Sequence, residues 1–184
     1  MAVGAKLQDF KSNLKEAARP NRFIMSFVTP PAIDEFSEEM QYHVKSASIP
    51  TRTVGDITLN WQGLQTKIAG DPTYDDYTVG FLNNENFNIR ALFEKWSDLI
   101  SGGVENTRAA HGDYMAVARI DQLSRSGNEV IATYYMHGIW PKSIAAIELS
   151  QESTNAIEEF EVTFNMDFFS NSASPASGEA IVKK

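Results

Sequence analysis

Ala69-Gly70-Asp71-Pro72-Thr73-Tyr74-Asp75-Asp76-Tyr77-Thr78-Val79 decides how this chain is read, because it holds a break and a restart and is followed at once by a helical pattern. Pro72 fixes φ and Gly70 permits φ > 0, so the step Gly70–Pro72 is expected to end a strand. The strand that resumes sets Tyr77, Val79 and Phe81 on one face and Asp76, Thr78 and Gly80 on the other. Further on, Ile89, Leu92, Phe93, Trp96, Leu99 and Ile100 recur at helical spacing, which predicts a helix over residues 86–100 with one apolar stripe. Arg90 and Glu94 stand four apart for an ion pair on that helix, and Gly102 stands where a C-cap is expected.

Upstream, Ile57, Leu59 and Trp61 alternate with Thr58, Asn60 and Gln62, and a turn at Gln62-Gly63 leads into Leu64–Ala69. A hairpin with Trp61 and Leu64 beside its turn is a liability on a monomer, so it suggests a covered surface. Phe23, Met25 and Phe27 mark an earlier strand. Another is expected over residues 41–49, where the apolar phase shifts from Tyr42 and Val44 to Ala47 and Ile49 and predicts a bulge near Ser46. Between these two, Thr29-Pro30-Pro31 breaks the chain, and Asp34, Glu35, Glu38 and Glu39 make an acidic loop. Ahead of them, residues 6–18 put Leu7, Phe10 and Leu14 on one face of a short helix, too short to stand without docking on its own domain or on a neighbour.

Downstream, strands over residues 114–123 and 130–140 are joined by Ser124-Arg125-Ser126-Gly127-Asn128, a hairpin turn. The second carries Ile131, Tyr135 and Ile139 on one face and Val130, Ala132, Tyr134 and Met136 on the other. A strand apolar on both faces is covered on both, here by the 87–100 helix and by a neighbouring subunit. The last strand alternates Phe160, Val162, Phe164, Met166 and Phe168 with Glu161, Thr163, Asn165 and Asp167. Its apolar set pins the register at roughly 1.5–3 kcal/mol per buried side chain. Residues 170–184 read as a low-complexity tail after a single domain over residues 1–169.

At 184 residues the chain is long enough to bury a core in one domain. It has no cysteine, which rules out disulfides and thiolate metal sites. Neither a signal-peptide h-region nor a membrane-length apolar run is visible, so neither export nor membrane insertion is expected. A net charge of -8 argues against ordinary nucleic-acid binding, which needs clustered cations. His43, His111 and His137 are far apart and lack ligand-spaced partners; His137 reads as a hydrogen-bonded structural residue. No phosphate loop or nucleophile elbow occurs, and Asp75-Asp76 sit adjacent on a strand, where they point to opposite faces. Neither a catalytic nor a cofactor site is therefore expected.

Together with residues 69–79, four stretches carry a family resemblance: Ala18-Arg19-Pro20-Asn21-Arg22-Phe23, Ala47-Ser48-Ile49-Pro50, Gly138-Ile139-Trp140-Pro141 and Phe160-Glu161-Val162-Thr163-Phe164. In this order they resemble the tail tube proteins of contractile-tailed (myovirus-type) bacteriophages. The resemblance implies a mainly β subunit with one or two short helices, a small antiparallel β-barrel or sandwich flanked by an α-helix. It implies hexameric rings stacked into a tube that conducts DNA during ejection, without specific binding. By resemblance the partners are further copies of the chain, the tail sheath, the baseplate, the tail terminator and a ruler protein in the lumen; the setting is the virion, assembled in the bacterial cytoplasm.

On that reading Glu161, Thr163, Asn165 and Asp167 are candidates to line the lumen, where negative charge repels DNA over a Debye length of about 8–10 Å. Leu7, Phe10, Leu14, Trp61 and Leu64 are candidates for contacts between subunits or rings; in the resembling family the hairpin region reaches toward the adjacent ring. The nearest alternative is the tube of a phage-derived contractile injection or type VI secretion apparatus. A more distant one is a small-molecule-binding β-barrel whose pocket Tyr134, Tyr135, Trp140 and Phe164 would line.

Overall fold

The computed structural model describes residues 7, 18–28, 30, 33, 40–103, 107–152 and 154–172. Phe10, Leu14, the acidic loop residues Asp34, Glu35, Glu38 and Glu39, and the tail beyond residue 172 lie outside the described residues. In chain order the elements are β1 (Phe23–Val28), α1 (Met40–His43), β2 (Val44–Ser46), β3 (Arg52–Trp61), β4 (Leu64–Tyr74), β5 (Tyr77–Leu82), α2 (Asn88–Ile100), α3 (His111–Tyr114), β6 (Ala116–Leu123), β7 (Val130–Ile144), β8 (Glu159–Asn165) and β9 (Phe168–Asn171).

Seven strands form one antiparallel sheet in the order β1-β6-β7-β8-β5-β2, with β9 on β7, while β3 and β4 pair only with each other. The sheet curls because β7 belongs to two ladders. Its first part pairs with β6 and, on its other edge, with β9; its last part, from Trp140, pairs with β8. Between the two lies Gly138 at φ 66, where the register to β6 shifts by one residue. A Cβ at this position would run into the carboxylate of Asp167 and the methyl of Met115, so both the backbone angle and the space select glycine.

That bulge also corrects the strand phase read from sequence. Ile139 does not share a face with Ile131 and Tyr135; the extra residue turns it inward, so that Met136 and Ile139 both enter the core while Ile131 stays exposed. Tyr135 finds part of its cover inside the same chain, with the guanidinium of Arg119 5.8 Å from its ring centroid. Arg119 is fixed in turn by Asp121, at 2.8 Å, and Asp121 accepts a bond from Thr133 Oγ1 at 2.6 Å.

Helix α2 fills the hollow of the curl. Phe93 on its apolar stripe meets Phe27 of β1, Phe81 of β5 and both Phe160 and Phe164 of β8, with centroids 4.8–6.5 Å apart. Ile89, Phe93 and Trp96 are buried there, and the Trp96 indole donates to the Tyr114 carbonyl at 2.7 Å, which satisfies its one polar atom. This is the mainly β subunit with a flanking helix that the sequence implied, its sheet curled into a half-barrel.

The helix starts at Asn88 rather than Asn86, with the Asn84 carboxamide accepting the first free amide at 3.0 Å. Its C-cap is Ser101 in an extended conformation, not Gly102. Gly102 is instead packed against Thr107, whose hydroxyl leaves no room for a Cβ. The expected Arg90–Glu94 pair forms at 2.8 Å. Residues 41–43 are helical, which shortens the predicted strand to β2; the register shift near Ser46 is present.

Two further strand boundaries differ from expectation. β4 runs through Gly70-Asp71-Pro72 without stopping. A strand of a two-stranded ribbon has a bare edge, and a proline facing it breaks no ladder bond. Gly55 and Gly70 lie in close backbone approach beside the shift in register, so the glycine marks a bulge. At the other end, β8 stops at Asn165. The Asp167 amide donates to the His137 carbonyl at 3.1 Å, and the chain crosses to β7 as β9. Phe168 therefore leaves the apolar face of β8 and stacks on His137 at 4.7 Å, while Phe169 turns to the core.

Candidate functional site: assembly surfaces

Two surfaces are candidates for function, the polar face of the β2-β5-β8-β7 half of the sheet and the β3–β4 hairpin. On β8 the pattern separates the faces cleanly. Phe160, Val162 and Phe164 are buried, and Glu161, Thr163 and Asn165 point away from them. Opposite these stand Gly80, Thr78 and, from β7, Ser143 and Trp140. Thr78 and Thr163 share a hydroxyl hydrogen bond at 3.2 Å, and Ser46 occupies the space that a Cβ on Gly80 would need. The middle of this face, at Ser46, Gly80, Thr78, Thr163 and Ser143, is thus built from small, neutral side chains.

Its charges are mostly paired. Lys142 binds Asp76 at 2.5 Å, Asn165 reaches the same carboxylate at 3.4 Å, and Lys45 pairs with Glu159. The hydrogen bond from Lys142 holds the Asp76 carboxyl below its ordinary pKa. Among the described residues Glu161 has no ion pair, and it leaves net negative charge on the face. Asp167 is exposed at the end of the ladder, in the bend between β8 and β9, with its carboxylate over Gly138. The structure therefore brings Glu161, Thr163 and Asn165 together and sets Asp167 apart from them.

The hairpin is an arm. Its turn places Gln62 at φ 47 and Gly63 at φ 86, the left-handed pair that matches the twist of two strands joined by two residues. Register sets Ile57 opposite Ile68, Leu59 opposite Thr66 and Trp61 opposite Leu64, so the apolar side chains form one stripe. The other face carries Thr58, Lys67, Asn60 and Gln65, with Lys67 bound to Asp56 at 2.6 Å. Trp61 is 74% exposed and Leu64 73%. Trp61 does not fold back on its own domain, and among the described residues nothing packs extensively on the arm beyond its base. There, Thr51 bonds Asp75 and Tyr74 meets Phe169. Leu7, the described candidate of the N-terminal stripe, is exposed.

Nothing in this geometry assembles a ligand pocket from Tyr134, Tyr135, Trp140 and Phe164. Phe164 is fully buried against Phe27, Phe93 and Trp96, and the helix occupies the interior such a pocket would need. His111 bonds the Tyr114 hydroxyl at 2.7 Å and His137 the Ser170 hydroxyl at 3.2 Å; burial lowers the pKa of His137. Sequence reasoning missed the Lys142–Asp76–Asn165 cluster, which joins β7, β8 and the connection from β4 to β5, far apart in the chain. It also passed over Leu149 and Ile157, exposed apolar side chains in the connection between β7 and β8, a signal that was legible.

A curled half-barrel with a helix in its hollow and a long bare arm is a fold that known proteins share. The family model described as phage tail tube protein matches residues 18–172. The chain belongs to the phage tail tube protein family. It is 29% identical over 153 residues to the tail tube protein gp19 of Enterobacteria phage T4, a match covering 83% of this chain and 90% of that protein. To the tail tube protein of Serratia phage KSP90 it is 22% identical over 139 residues, 76% of this chain and 78% of that one. Among solved structures, a chain of the anti-feeding prophage tube-terminating cap superposes with a TM-score of 0.64 at 17% identity, covering 85% of this chain and 91% of that one. A chain of the sheath/tube terminator of an extracellular contractile injection system gives 0.64 at 16%, covering 86% and 98%. As a tail tube protein, the chain is a structural component of the virion.

Proposed function

We propose that this chain closes into hexameric rings that stack into the inner tube of a contractile phage tail, and that DNA leaves the virion through the bore. The arm carries this reading: a strand pair with one apolar face and no cover among the described residues of its own subunit is the kind of surface that another subunit covers. Ring closure pairs the sheet edges at β1 and β2 head to tail, which removes the bare edges. Stacking is heterologous and so propagates into a tube.

The polar face of β2, β5, β8 and the end of β7 lines the bore, with Glu161, Thr163 and Asn165 along it and Asp167 at its end. Small neutral side chains, lysines already paired with Glu159 and Asp76, and the residual negative charge of Glu161 leave phosphates no free cation on this face among the described residues. The Leu7 stripe, with Phe10 and Leu14, docks on a neighbour. The sheath surrounds the tube, a baseplate and a terminator bound its ends, and a ruler protein in the lumen sets its length; structures of similar fold come from a tube-terminating cap, a baseplate and a sheath–tube complex. The role is mechanical, without catalysis. The same fold in injection particles makes an injection tube the second reading, and the higher sequence identity to phage tail tube proteins favours the tail.

Negative-stain electron microscopy across a concentration series tests assembly: hollow rings or tubes are expected, and a monomer at every concentration overturns the proposal. Paired Glu161→Lys and Asp167→Lys substitutions should leave assembly intact and slow DNA ejection. Normal ejection kinetics would place that face outside the bore.

A further inference from the structure

On the reading that the polar face lines the bore, we infer that Asp76 and Glu159 are masking residues. Each carboxylate occupies a lysine that would otherwise stand free to grip a passing DNA phosphate. Sliding then depends on where the negative charges sit and not only on their sum.

The layout of the face comes from the register. Along β8, Glu159, Glu161, Thr163 and Asn165 share the polar side. At the first end Lys45 pairs with Glu159. At the other, Lys142 meets the Asp76 carboxylate at 2.5 Å, and the Asn165 amide donates to its second oxygen at 3.4 Å. Glu159 and Asn165 are about 20 Å apart at 3.4 Å per residue. Both lysines stand at a break in the ladder, Lys45 between Val44 and Ser46 and Lys142 between Pro141 and Ser143. Irregularities of this kind re-aim a side chain, and here each one delivers a cation to a carboxylate.

Folding does not require these pairs. Their side chains are between 38% and 51% exposed, and ion pairs so open to water add little to stability. A lysine against a phosphate is another matter. Each one engaged releases a counterion, so that binding weakens about 3-fold between about 50 and 200 mM salt. One free lysine in every subunit of a ring multiplies that grip.

Net charge and pairing lead to different outcomes. Loss of Asp76, Glu159 or Glu161 changes the sum on the face by the same single charge, yet only the first two leave a lysine without its partner. The two ends also differ. Glu161 stands about 7 Å along the strand from Glu159 and can take Lys45 in its place. Beside Asp76 the neighbouring carboxylates are turned away: Asp75 accepts a bond from Thr51, and Asp167 lies over Gly138. The effect of substitution should therefore be largest at Asp76, smaller at Glu159 and absent at Glu161.

Tubes assembled from Asp76→Asn, Glu159→Gln or Glu161→Gln chains and mixed with a short labelled DNA duplex decide it. Duplex held in the bore is read as label protected from added nuclease. Asp76→Asn tubes should protect at least about 3-fold more duplex than unmodified tubes at about 50 mM salt and lose the excess at about 200 mM. Adding Lys142→Gln should remove the excess, which a merely structural role of Asp76 would not do. Asp76→Ser repeats this arm without a second amide beside Asn165. Equal protection by all three carboxylate variants would make net charge the cause and overturn the masking, as would an excess that survives Lys142→Gln. Ser143→Lys sets an unpaired lysine on the same face with both ion pairs intact. Protection by Ser143→Lys but not by Asp76→Asn or Asp76→Ser overturns the masking and leaves the bore reading standing; protection by none of them overturns both.

Discussion

Strands β3 and β8 both alternate apolar with polar residues, yet Phe160, Val162 and Phe164 are buried while Ile57, Leu59 and Trp61 are half exposed or more. The difference lies in what crosses the apolar face. β8 is crossed by α2, whose Phe93 reaches two of the three β8 side chains. Among the described residues β3 has only β4 beside it, and their two-stranded ribbon has no second layer there. Alternation thus specifies a face and leaves open who covers it. In β8 the cover is the same chain and the gain is folding; in the arm, on the proposed reading, the cover is another chain and the gain is assembly.

The sharpest way to break this contrast is to damage each face in turn. Phe164→Ala removes a fully buried ring that touches Phe27, Phe93 and Trp96, and should cost about 3–5 kcal/mol of folding stability. Chemical denaturation of the isolated chain measures it; a loss below 1 kcal/mol would mean that the helix does not seal this face. Trp61→Asp should do the reverse. Among the described residues its side chain has no intramolecular cover, so stability should move by no more than about 0.5 kcal/mol. Assembly should need roughly 30-fold more protein or fail, as expected when an aromatic anchor worth about 2 kcal/mol becomes a buried charge. Sedimentation across a dilution series decides it, and unchanged assembly would take Trp61 out of the contact.

How far this was legible follows from the range of each signal. Faces within a strand were readable, as were the hairpin turn at Gln62-Gly63 and the α2 stripe, because all depend on neighbours in sequence. Pro72 misled, since whether a proline ends a strand depends on which edge is bare, and that is a property of the finished sheet. The strand break at Met166-Asp167 was hidden because Phe168 keeps the alternation going while the chain changes partner. Of the candidate surface residues, Trp61 and Leu64 announced themselves by being apolar beside a turn. The Lys142–Asp76–Asn165 cluster gave no local sign, because its members meet only when β7 and β8 align beside the β4–β5 connection.

Gly138 sharpens the contrast within the sheet itself, since it joins the half that carries the polar face to the half that carries β9. Gly138→Ala places a Cβ where φ is 66 and where Asp167 and Met115 already sit. A cost of about 1–2 kcal/mol for the backbone alone is expected, with more for displacing the neighbours. Denaturation should register it, and rings formed by this variant should be less regular in two-dimensional class averages because the corner is relaxed. A neutral substitution would show that the curl does not need the bulge.

The smallest expected effect concerns the seam between β7 and β9, where His137 stacks on Phe168 and bonds Ser170. Burial lowers its pKa in the fold, so at mildly acidic pH the unfolded chain binds a proton that the folded chain resists. The sign follows: the contribution of a neutral His137 is complete above the ordinary histidine range, near pH 6.5, and is lost as pH falls toward the lowered folded value. Stability should therefore decline between about pH 7 and pH 5, and part of that slope should vanish in His137→Phe, which keeps the stack and removes the proton. The arm has no histidine, so arm-driven association of folded subunits should not share this component. Denaturation midpoints of both chains at several pH values measure the difference; parallel slopes would mean that the seam tolerates the charge, and that β9 is held by its backbone ladder rather than by the neutral ring.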